Sequence, residues 1–447
     1  MGKKKKNKNE NFRVKQFFIY NDNPIFNFLV TQLHFSKNLY NATLYEIRQS
    51  FFKDENKVLS YKYLEKYMKN EKISNRSDKP GYDYYQMATA QSAQQTIMKA
   101  IGSMEYFRKS KKKYEKNPIY YTGEPKLPKY IKKPYYIVTL TNQNCTVEYD
   151  KVKGNIVTFP TRTYGDFYVN IDDCFNNEEY DFKSLSEVRF YLRHNIIVLE
   201  VVFKVKPKQE YKLRKDRLCG VDLGVSNFAA CSFNFEKHPI IIDSSHIKSV
   251  NQLYNKKISH YKSLAKKCND LYDTKLIETL WEARYRKIKD YMHKASTFLV
   301  KTCVENKVSK IIIGENKGWK RKNKKKQNFA SIPFTMFKKM VEYKAKFYGI
   351  KVIFVPERYT SGTSFLDKEE LKKKFYNKER RVHRGLFISN KGILINDDVN
   401  AGYQIIKKYE EKENLKKRRL KKSLISCYNK FFNWKKIASK VERVYVI

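Results

Sequence analysis

Three acidic side chains in this sequence are candidates for shared chemistry. Asp222 stands in Gly-Val-Asp-Leu-Gly within an apolar segment, where an ionised carboxylate is costly unless it is paired or binds a metal. Glu315 ends the run Ile-Ile-Ile-Gly-Glu, and a third acid is available as Asp397 or Asp398 in Asp-Asp-Val-Asn-Ala. Three such oxygen ligands at one point suit Mg²⁺, and two ions could activate a water and stabilise the leaving oxygen of a phosphodiester.

Each acid also has an ordinary structural interpretation. Asp222 could be a turn residue between strands, and Glu315 could be an acid that merely ends a strand. Asp397 or Asp398 could cap a helix. The order of the predicted elements favours a joint role for Asp222, Glu315 and one of Asp397 and Asp398 over three separate coincidences.

The elements that would position these acids lie in the second half of the chain. Short apolar runs predict strands at 218–223, 228–233, 239–243, 310–314 and 351–355. Helical spacing predicts two helices within 250–306, one at 333–348 and one from 397 to about 409. In the second of these helices one face carries Ile288, Met292, Ala295, Leu299 and Cys303.

The resulting order, β-β-β-α-β-α-β, is that of an RNase H-like fold. In that fold the first and fourth strands are neighbours, so we expect Asp222 and Glu315 at one edge of the sheet. The first half of the chain is of a different type. It predicts a strand at 12–19, helices from 24 to about 116, and short strands at 135–140, 155–159, 166–171 and 195–204 in a small barrel or sandwich.

The composition points to a polyanionic partner. The 447 residues carry 93 Lys and Arg against 46 Asp and Glu, a formal net charge of +47. Nucleic acid is the first candidate and an anionic membrane the second. A hydrophobic fraction of 41% excludes a wholly disordered basic tail, and the 15% of aromatic residues could stack on unpaired bases.

The seven cysteines indicate a reducing, intracellular setting. They stand singly with no Cys-x-x-Cys pair, so neither a disulfide framework nor a zinc finger is expected. No apolar run approaches the length of a membrane span, and the lysine run at 3–6 is not followed by the apolar core of a secretory signal. That run could be a nuclear address, a phosphate-binding arm or a solvated tail.

Two basic segments are candidates for nucleic-acid contacts. The loop 317–327 follows Glu315 directly and could hold the backbone of a substrate, with Trp319 stacking on a base or sugar. The guanidinium groups at 380–384 could pair with phosphates. A solvated lysine loop remains an alternative. The candidate nucleic-acid-binding residues are Lys317, Trp319, Lys320, Arg321, Arg380, Arg381 and Arg384.

The segments around the three acids resemble a known family. Residues 220–227, 313–316 and 398–401 look like the three RuvC motifs of TnpB, the transposon-encoded RNA-guided nuclease related to type V CRISPR effectors. The flanking segments 292–296, 328–333, 343–345, 349–350, 357–361, 123–130 and 35–41 are also similar to that family. The resemblance implies that Asp222, Glu315 and Asp398 are catalytic and bind magnesium. The family's Asp-x-Asn-Ala spacing selects Asp398 rather than Asp397.

The resemblance also implies an α/β multidomain architecture. A basic arm and first wedge strand would occupy 1–22, a helical recognition lobe 23–116, a wedge β-barrel 117–212, and a RuvC-like nuclease domain 213–447. An insertion at 361–396 would bind the target nucleic acid. Many relatives carry a four-cysteine zinc ribbon there, but this segment has no cysteine and only His383, so zinc is not expected.

The function implied is an RNA-guided DNA endonuclease with guide RNA and target double-stranded DNA as partners and a single magnesium-dependent RuvC site. A membrane is not an expected partner. Two alternatives stay open at this point: a small type V CRISPR effector nuclease, and an RNA-guided DNA-binding repressor that does not cut. Glu357 could tune the metal site or simply hydrogen-bond the turn that follows it, and a structural role for His293 is favoured over a catalytic one.

Overall fold

The computed structural model describes the chain in two compact units, which divide between Lys208 and Gln209. The described residues are 11–55, 57–70, 82–118, 121, 123–161, 165–269, 274–315, 332–383, 385–420 and 441–445. Within them, none of the helices combines the length and apolarity needed to cross a bilayer.

The first unit combines helices with two antiparallel sheets. Its helices are α1 (Phe26–Lys53), α2 (Tyr61–Asn70), α3 (Tyr82–Tyr85), α4 (Ala90–Lys116) and α5 (Asp172–Phe175). Its strands are β1 (Asn11–Ile19), β2 (Val138–Thr141), β3 (Thr146–Asp150), β4 (Gly154–Thr161), β5 (Gly165–Asn170), β6 (Tyr180–Arg193) and β7 (Ile196–Pro207).

In the first unit the first strand, β1, lies next to the last strand, β7. One sheet has the order β1-β7-β6-β2 and the other β3-β4-β5. Strand β1 pairs with β7 along its whole length, so the early strand predicted from the sequence joins the later β region. Helix α4 begins at a capping box, in which the Thr89 side chain accepts a hydrogen bond from Ser92 N and Ser92 Oγ accepts one from Thr89 N. The helix packs Ile97 and Met104 into the core.

The second unit is built around a six-stranded sheet. Its strands are β8 (Arg214–Leu223), β9 (Asn227–Phe233), β10 (Ile240–Asp243), β11 (Val308–Glu315), β12 (Lys351–Pro356), β13 (Arg381–His383), β14 (Leu386–Ile388), β15 (Leu394–Asn396) and β16 (Glu442–Val444). Its helices are α6 (Ser245–Asn269), α7 (Lys275–Glu305), α8 (Phe334–Phe347) and α9 (Asp397–Leu420), with a short 3₁₀ turn at Lys373–Phe375.

The order of the large sheet is β12-β11-β8-β9-β10-β16. Strand β11 runs parallel to both β8 and β12, which confirms that the first and fourth strands of this unit are neighbours. Strand β16 extends the other edge by pairing in parallel with β10, and Arg443 Nη1 lies 3.1 Å from Asp243 Oδ2. Strands β13, β14 and β15 form a separate small sheet that the sequence did not predict.

Helices cover both faces of the large sheet. Helix α7 buries the predicted apolar face, and its Cys303 contacts Cys219 of β8. On the opposite face α9 crosses β8 at two glycines, because a Cβ atom on Gly220 would lie only 2.3 Å from the carbonyl oxygen of Gly402. The lack of a side chain at Gly220 therefore allows α9 to lie directly on the strand that carries Asp222.

Candidate active site

Asp397 and Asp398 occupy the first turn of α9, and neither of them is its cap. Asn396 caps the helix, because its Oδ1 accepts hydrogen bonds from the backbone N of Asp398 (3.1 Å) and of Val399 (3.2 Å). The helix-cap interpretation of the two aspartates was therefore wrong. Both carboxylates are left available at a helix N-terminus, where the partial positive charge stabilises anions.

The close packing of α9 on β8 brings Asp398 beside the end of the strand. Asp398 Oδ2 lies 3.7 Å from the position that a Cβ atom on Gly224 would occupy. The same oxygen accepts a hydrogen bond of 2.8 Å from Nδ2 of Asn227. Burial, and to a smaller extent the charge of Asp397, raise the pKa of Asp398 to about 6, although the hydrogen bond from Asn227 and the charge of Arg381 act in the opposite direction.

Asp222 lies part-buried on the same face of the sheet as the start of α9. It pairs with Ala230 in the antiparallel register of β8 and β9, and Ala230 belongs to the same buried apolar cluster as Val399 of α9. Burial is the largest cause that raises the pKa of Asp222 well above its usual range, followed by the negative charges of Asp398, Glu357 and Asp397. Two of the three predicted acids, Asp222 and Asp398, are therefore close enough to repel each other.

Glu315 is the last residue of β11, and it follows Gly314, the residue opposite Asp222 on the neighbouring strand. Ile313 pairs with Val221, so the regular register places Gly314 opposite Asp222. Because side chains alternate along a strand, Glu315 and Asp222 start from opposite faces of the sheet. The structure thus puts Glu315 at the predicted sheet edge but does not bring it against Asp222 or Asp398.

Glu357 occupies the space on the α9 face that Gly314 leaves open. A Cβ atom on Gly314 would lie 2.6 Å from Oε1 of Glu357 and 2.8 Å from Cδ1 of Ile405 in α9. Burial raises the pKa of Glu357; the positive charge of Lys338 opposes that rise and the negative charge of Glu315 adds to it. Glu357 therefore lies beside the end of β11, and its charge acts on Asp222, the neighbour of Asp398.

The donor set fits a hard divalent cation. Carboxylate oxygens are the ligands that Mg²⁺ prefers, and Asp222 and Asp398 both present carboxylates at this place. Asp397 Oδ1 is buried and has no hydrogen-bond partner among the described residues, although its Oδ2 lies 3.3 Å from Nη2 of Arg381. Within the described part of the chain, no three His, Cys, Asp or Glu side chains stand close enough to hold a metal ion.

The predicted nucleic-acid contacts divide into two groups. Lys317, Trp319, Lys320, Arg321 and Arg384 lie outside the described residues. Arg380 is held inside the protein by Glu369, with 2.8 Å between Nη1 and Oε1, and by Asn390. Arg381 is more exposed and lies beside Asp397 at the site.

The sequence analysis did not identify Asn227 as a site residue, and it left the role of Glu357 open. Asn227, which positions Asp398, follows the Gly-Val-Asp-Leu-Gly motif by three residues, and an amide so close to a catalytic-type motif is a usable signal. The position of Glu357 across Gly314 depends on tertiary packing and has no local signal. Partial burial, followed by the positive charge of Lys344, lowers the pKa of His293 to about 4, and the carbonyl oxygen of His293 accepts a hydrogen bond from Lys344.

Comparisons with known proteins match both halves of this site. A family described as "Probable transposase" (OrfB_IS605) matches residues 200–320, and a family described as "Cas12f1-like, TNB domain" matches residues 334–405. Among solved structures, a Cas12f1–sgRNA–target DNA complex is similar with a TM-score of 0.54 and 17% identity, over 85% of this chain and 82% of that chain. The chain is thus similar to OrfB_IS605 transposases over one segment and to Cas12f1-like proteins over the next.

Two further solved structures are similar to this chain at lower TM-scores. A CRISPR-Cas12f ternary complex is similar at TM-score 0.36 and 18% identity, over 84% of this chain and 80% of that chain. C2c1 of Alicyclobacillus acidoterrestris with single-guide RNA gives 0.37 and 8%, over 85% and 65%. No curated protein sequence matches. The first family match includes Asp222 and Glu315, and the second includes Glu357 and Asp398.

Proposed function

We propose that this protein is an RNA-guided DNA endonuclease that hydrolyses phosphodiester bonds at a single metal-dependent site. TnpB-like and Cas12f-like proteins are RNA-guided nucleases, which supports the class of activity. The similar Cas12f1 structure contains sgRNA and target DNA, which supports guide RNA and target double-stranded DNA as partners. The net charge of +47 suits a protein that grips a guide–target heteroduplex through its backbone.

In this proposal Asp222, Glu315 and Asp398 hold magnesium. When bound, magnesium would supply Lewis-acid chemistry for phosphodiester hydrolysis. The protein's own residues prepare the site: Asn227 fixes the orientation of Asp398, and the guanidinium of Arg381 balances part of the charge of Asp397. Glu315, the last residue of β11, is the third ligand of this proposal.

The observation that carries the proposal is the convergence of Asp222 and Asp398. They are 176 positions apart in the sequence. Helix α9 packs closely on β8 where Gly402 meets Gly220, and this packing brings the two carboxylates near each other. Like charges in a part-buried place destabilise the fold unless a cation binds there. A repressor that does not cut would have no need to retain this costly arrangement.

The remaining parts of the proposal concern architecture and setting. We infer a recognition lobe over 23–116, a wedge domain over 117–212 and a RuvC-like nuclease domain from 213 onward, with 361–396 as a target-binding insertion. Arg381 would contact the target strand within that insertion. An intracellular setting, in the compartment that holds DNA, follows from the proposed substrate.

The decisive experiment uses the ribonucleoprotein as it is purified. The RNA that co-purifies is sequenced, and its variable portion is placed as a target in a plasmid library with a randomised flank. Plasmid cleavage is measured with magnesium and with EDTA for the wild type and for Asp222→Asn, Glu315→Gln and Asp398→Asn. We expect magnesium-dependent cleavage by the wild type, and its loss in all three variants while target binding is retained.

The matched control is Asp216→Asn. Asp216 is on the same strand as Asp222 but is exposed and paired with Arg214 at 2.9 Å, so its substitution should leave cleavage intact. Target binding by the wild type without any cleavage would favour the repressor. Loss of cleavage in Asp222→Asn and Asp398→Asn but not in Glu315→Gln would remove Glu315 from the ligand set.

A further inference from the structure

A cavity of about 840 Å³ lies along one face of α4 in the first unit. Residues Lys99, Ser103, Tyr106 and Ser110 of α4 line it at helical spacing, and Lys126 and Tyr136 close the other side. We call this cavity the α4 groove. Its volume is within the range of small-molecule sites, roughly 300–1,000 Å³.

The wall opposite α4 is held in place by α1. Asn41 of α1 exchanges two hydrogen bonds with the backbone of Ile131, at 3.0 and 2.8 Å. The guanidinium of Arg48 stacks on the ring of Tyr130 at 4.8 Å. Because these contacts fix the segment 123–137, the groove exists before any ligand binds, which reduces the entropy cost of binding.

The α4 groove combines an open aromatic ring with positive charge. The Tyr106 side chain is 75% exposed, and no ring or cation stacks on it among the described residues. At the far end Lys99 reaches inward, with its Nζ 2.6 Å from Oγ1 of Thr139. The wall segment 123–137 carries one glutamate, Glu124, against four exposed lysines: Lys126, Lys129, Lys132 and Lys133.

We propose that the α4 groove binds one unpaired nucleotide of RNA, with its base stacked on Tyr106 and its phosphate beside Lys126. An exposed tyrosine ring with adjacent lysines is the arrangement that proteins use to hold unpaired bases. The hydroxyl groups of Ser103 and Ser110 line the same groove and can meet a ribose 2′-hydroxyl, which both donates and accepts hydrogen bonds. This inference rests on the proposed function, which supplies the RNA.

The test measures the affinity of the full-length protein, freed of co-purified RNA, for labelled oligouridine of about ten nucleotides. We expect the Kd of Tyr106→Ala to rise about tenfold, and that of Tyr106→Phe to stay at the wild-type value, because stacking needs the ring and not the hydroxyl. Lys126→Ala should lower the salt dependence of binding by about one phosphate contact. In the wild type, thiouridine-substituted RNA should photocrosslink to the peptide that contains Tyr106.

The matched control is Tyr149→Ala, since Tyr149 is 71% exposed in the same unit but lies outside the groove. Equal Kd values for Tyr106→Ala and the wild type, or equal losses in both alanine variants, would overturn the inference. The same affinity and the same tenfold loss with oligothymidine DNA would overturn the assignment to RNA. Cleavage by the wild-type ribonucleoprotein is scored separately, so a failed groove and a failed nuclease assignment give different results.

Discussion

Asp398→Asn should stabilise the protein when metal is removed. The folded-state pKa of Asp398 is about 6, against a usual value of 3.8. A pKa raised in the folded state means that ionising this carboxylate costs more in the folded than in the unfolded protein, by about 3 kcal/mol once the pH is well above 6. An asparagine removes that cost and can still accept the hydrogen bond from Asn227.

The sign of the effect gives it a characteristic pH dependence. Below the unfolded pKa the carboxylate is protonated in both states, so wild type and variant should be equally stable. The advantage of Asp398→Asn should grow as the pH rises through the interval from 3.8 to about 6 and then level off. Urea denaturation in EDTA across this interval, followed by a signal from the second unit, measures it directly.

Asp216→Asn is the control, because the pKa of Asp216 is shifted in the opposite direction. Asp216 is held by Arg214, which lowers its pKa, so its substitution should give no gain in stability at neutral pH. An Asp398→Asn variant that is less stable than the wild type at neutral pH, or equally stabilised at all pH values, would refute the electrostatic interpretation. Added magnesium should stabilise the wild type and not the Asp398→Asn variant.

Three further predictions concern packing. Gly220→Ala should destabilise by roughly 1–3 kcal/mol or more, because the new Cβ would lie 2.3 Å from the carbonyl oxygen of Gly402; urea denaturation measures this. Gly102→Ala in α4 should instead stabilise by about 1 kcal/mol in the same assay, because open space surrounds that position. Arg380→Met should cost roughly 3–5 kcal/mol by leaving the buried Glu369 without its cationic partner, and adding Glu369→Gln should recover much of it, as a double-mutant cycle can test.

The second unit was largely predictable because its signals are local. Strands β8, β9 and β11 are short apolar runs, and the buried face of α7 repeats at helical spacing, so element type and order could be predicted from the sequence. The adjacency of β8 and β11 followed from that order and is confirmed. A joint role for Asp222 with an acid at 397–398 was predicted from the order of the elements, and the resemblance to TnpB selected Asp398.

The elements that were missed have non-local causes. Strand β6 is 14 residues long, but its pairing with β7 shifts register at Phe182/Ser184 and at Leu185/Glu187. Each shift moves the apolar side chains to the other face, so the two-residue alternation is lost. The place of Glu357 depends on an empty position on a neighbouring strand, which a linear sequence does not reveal.

Strand β16 covers one edge of the large sheet, so its removal should change how the protein associates. Its three residues occupy the outer side of β10, where they use hydrogen-bonding groups of Ile240–Ile242 that would otherwise face solvent. Deleting 441–445 would leave a bare, apolar strand edge, a template on which a second molecule can add its own strand. We expect such a truncation to self-associate at concentrations where the intact chain is monodisperse, as light scattering would show.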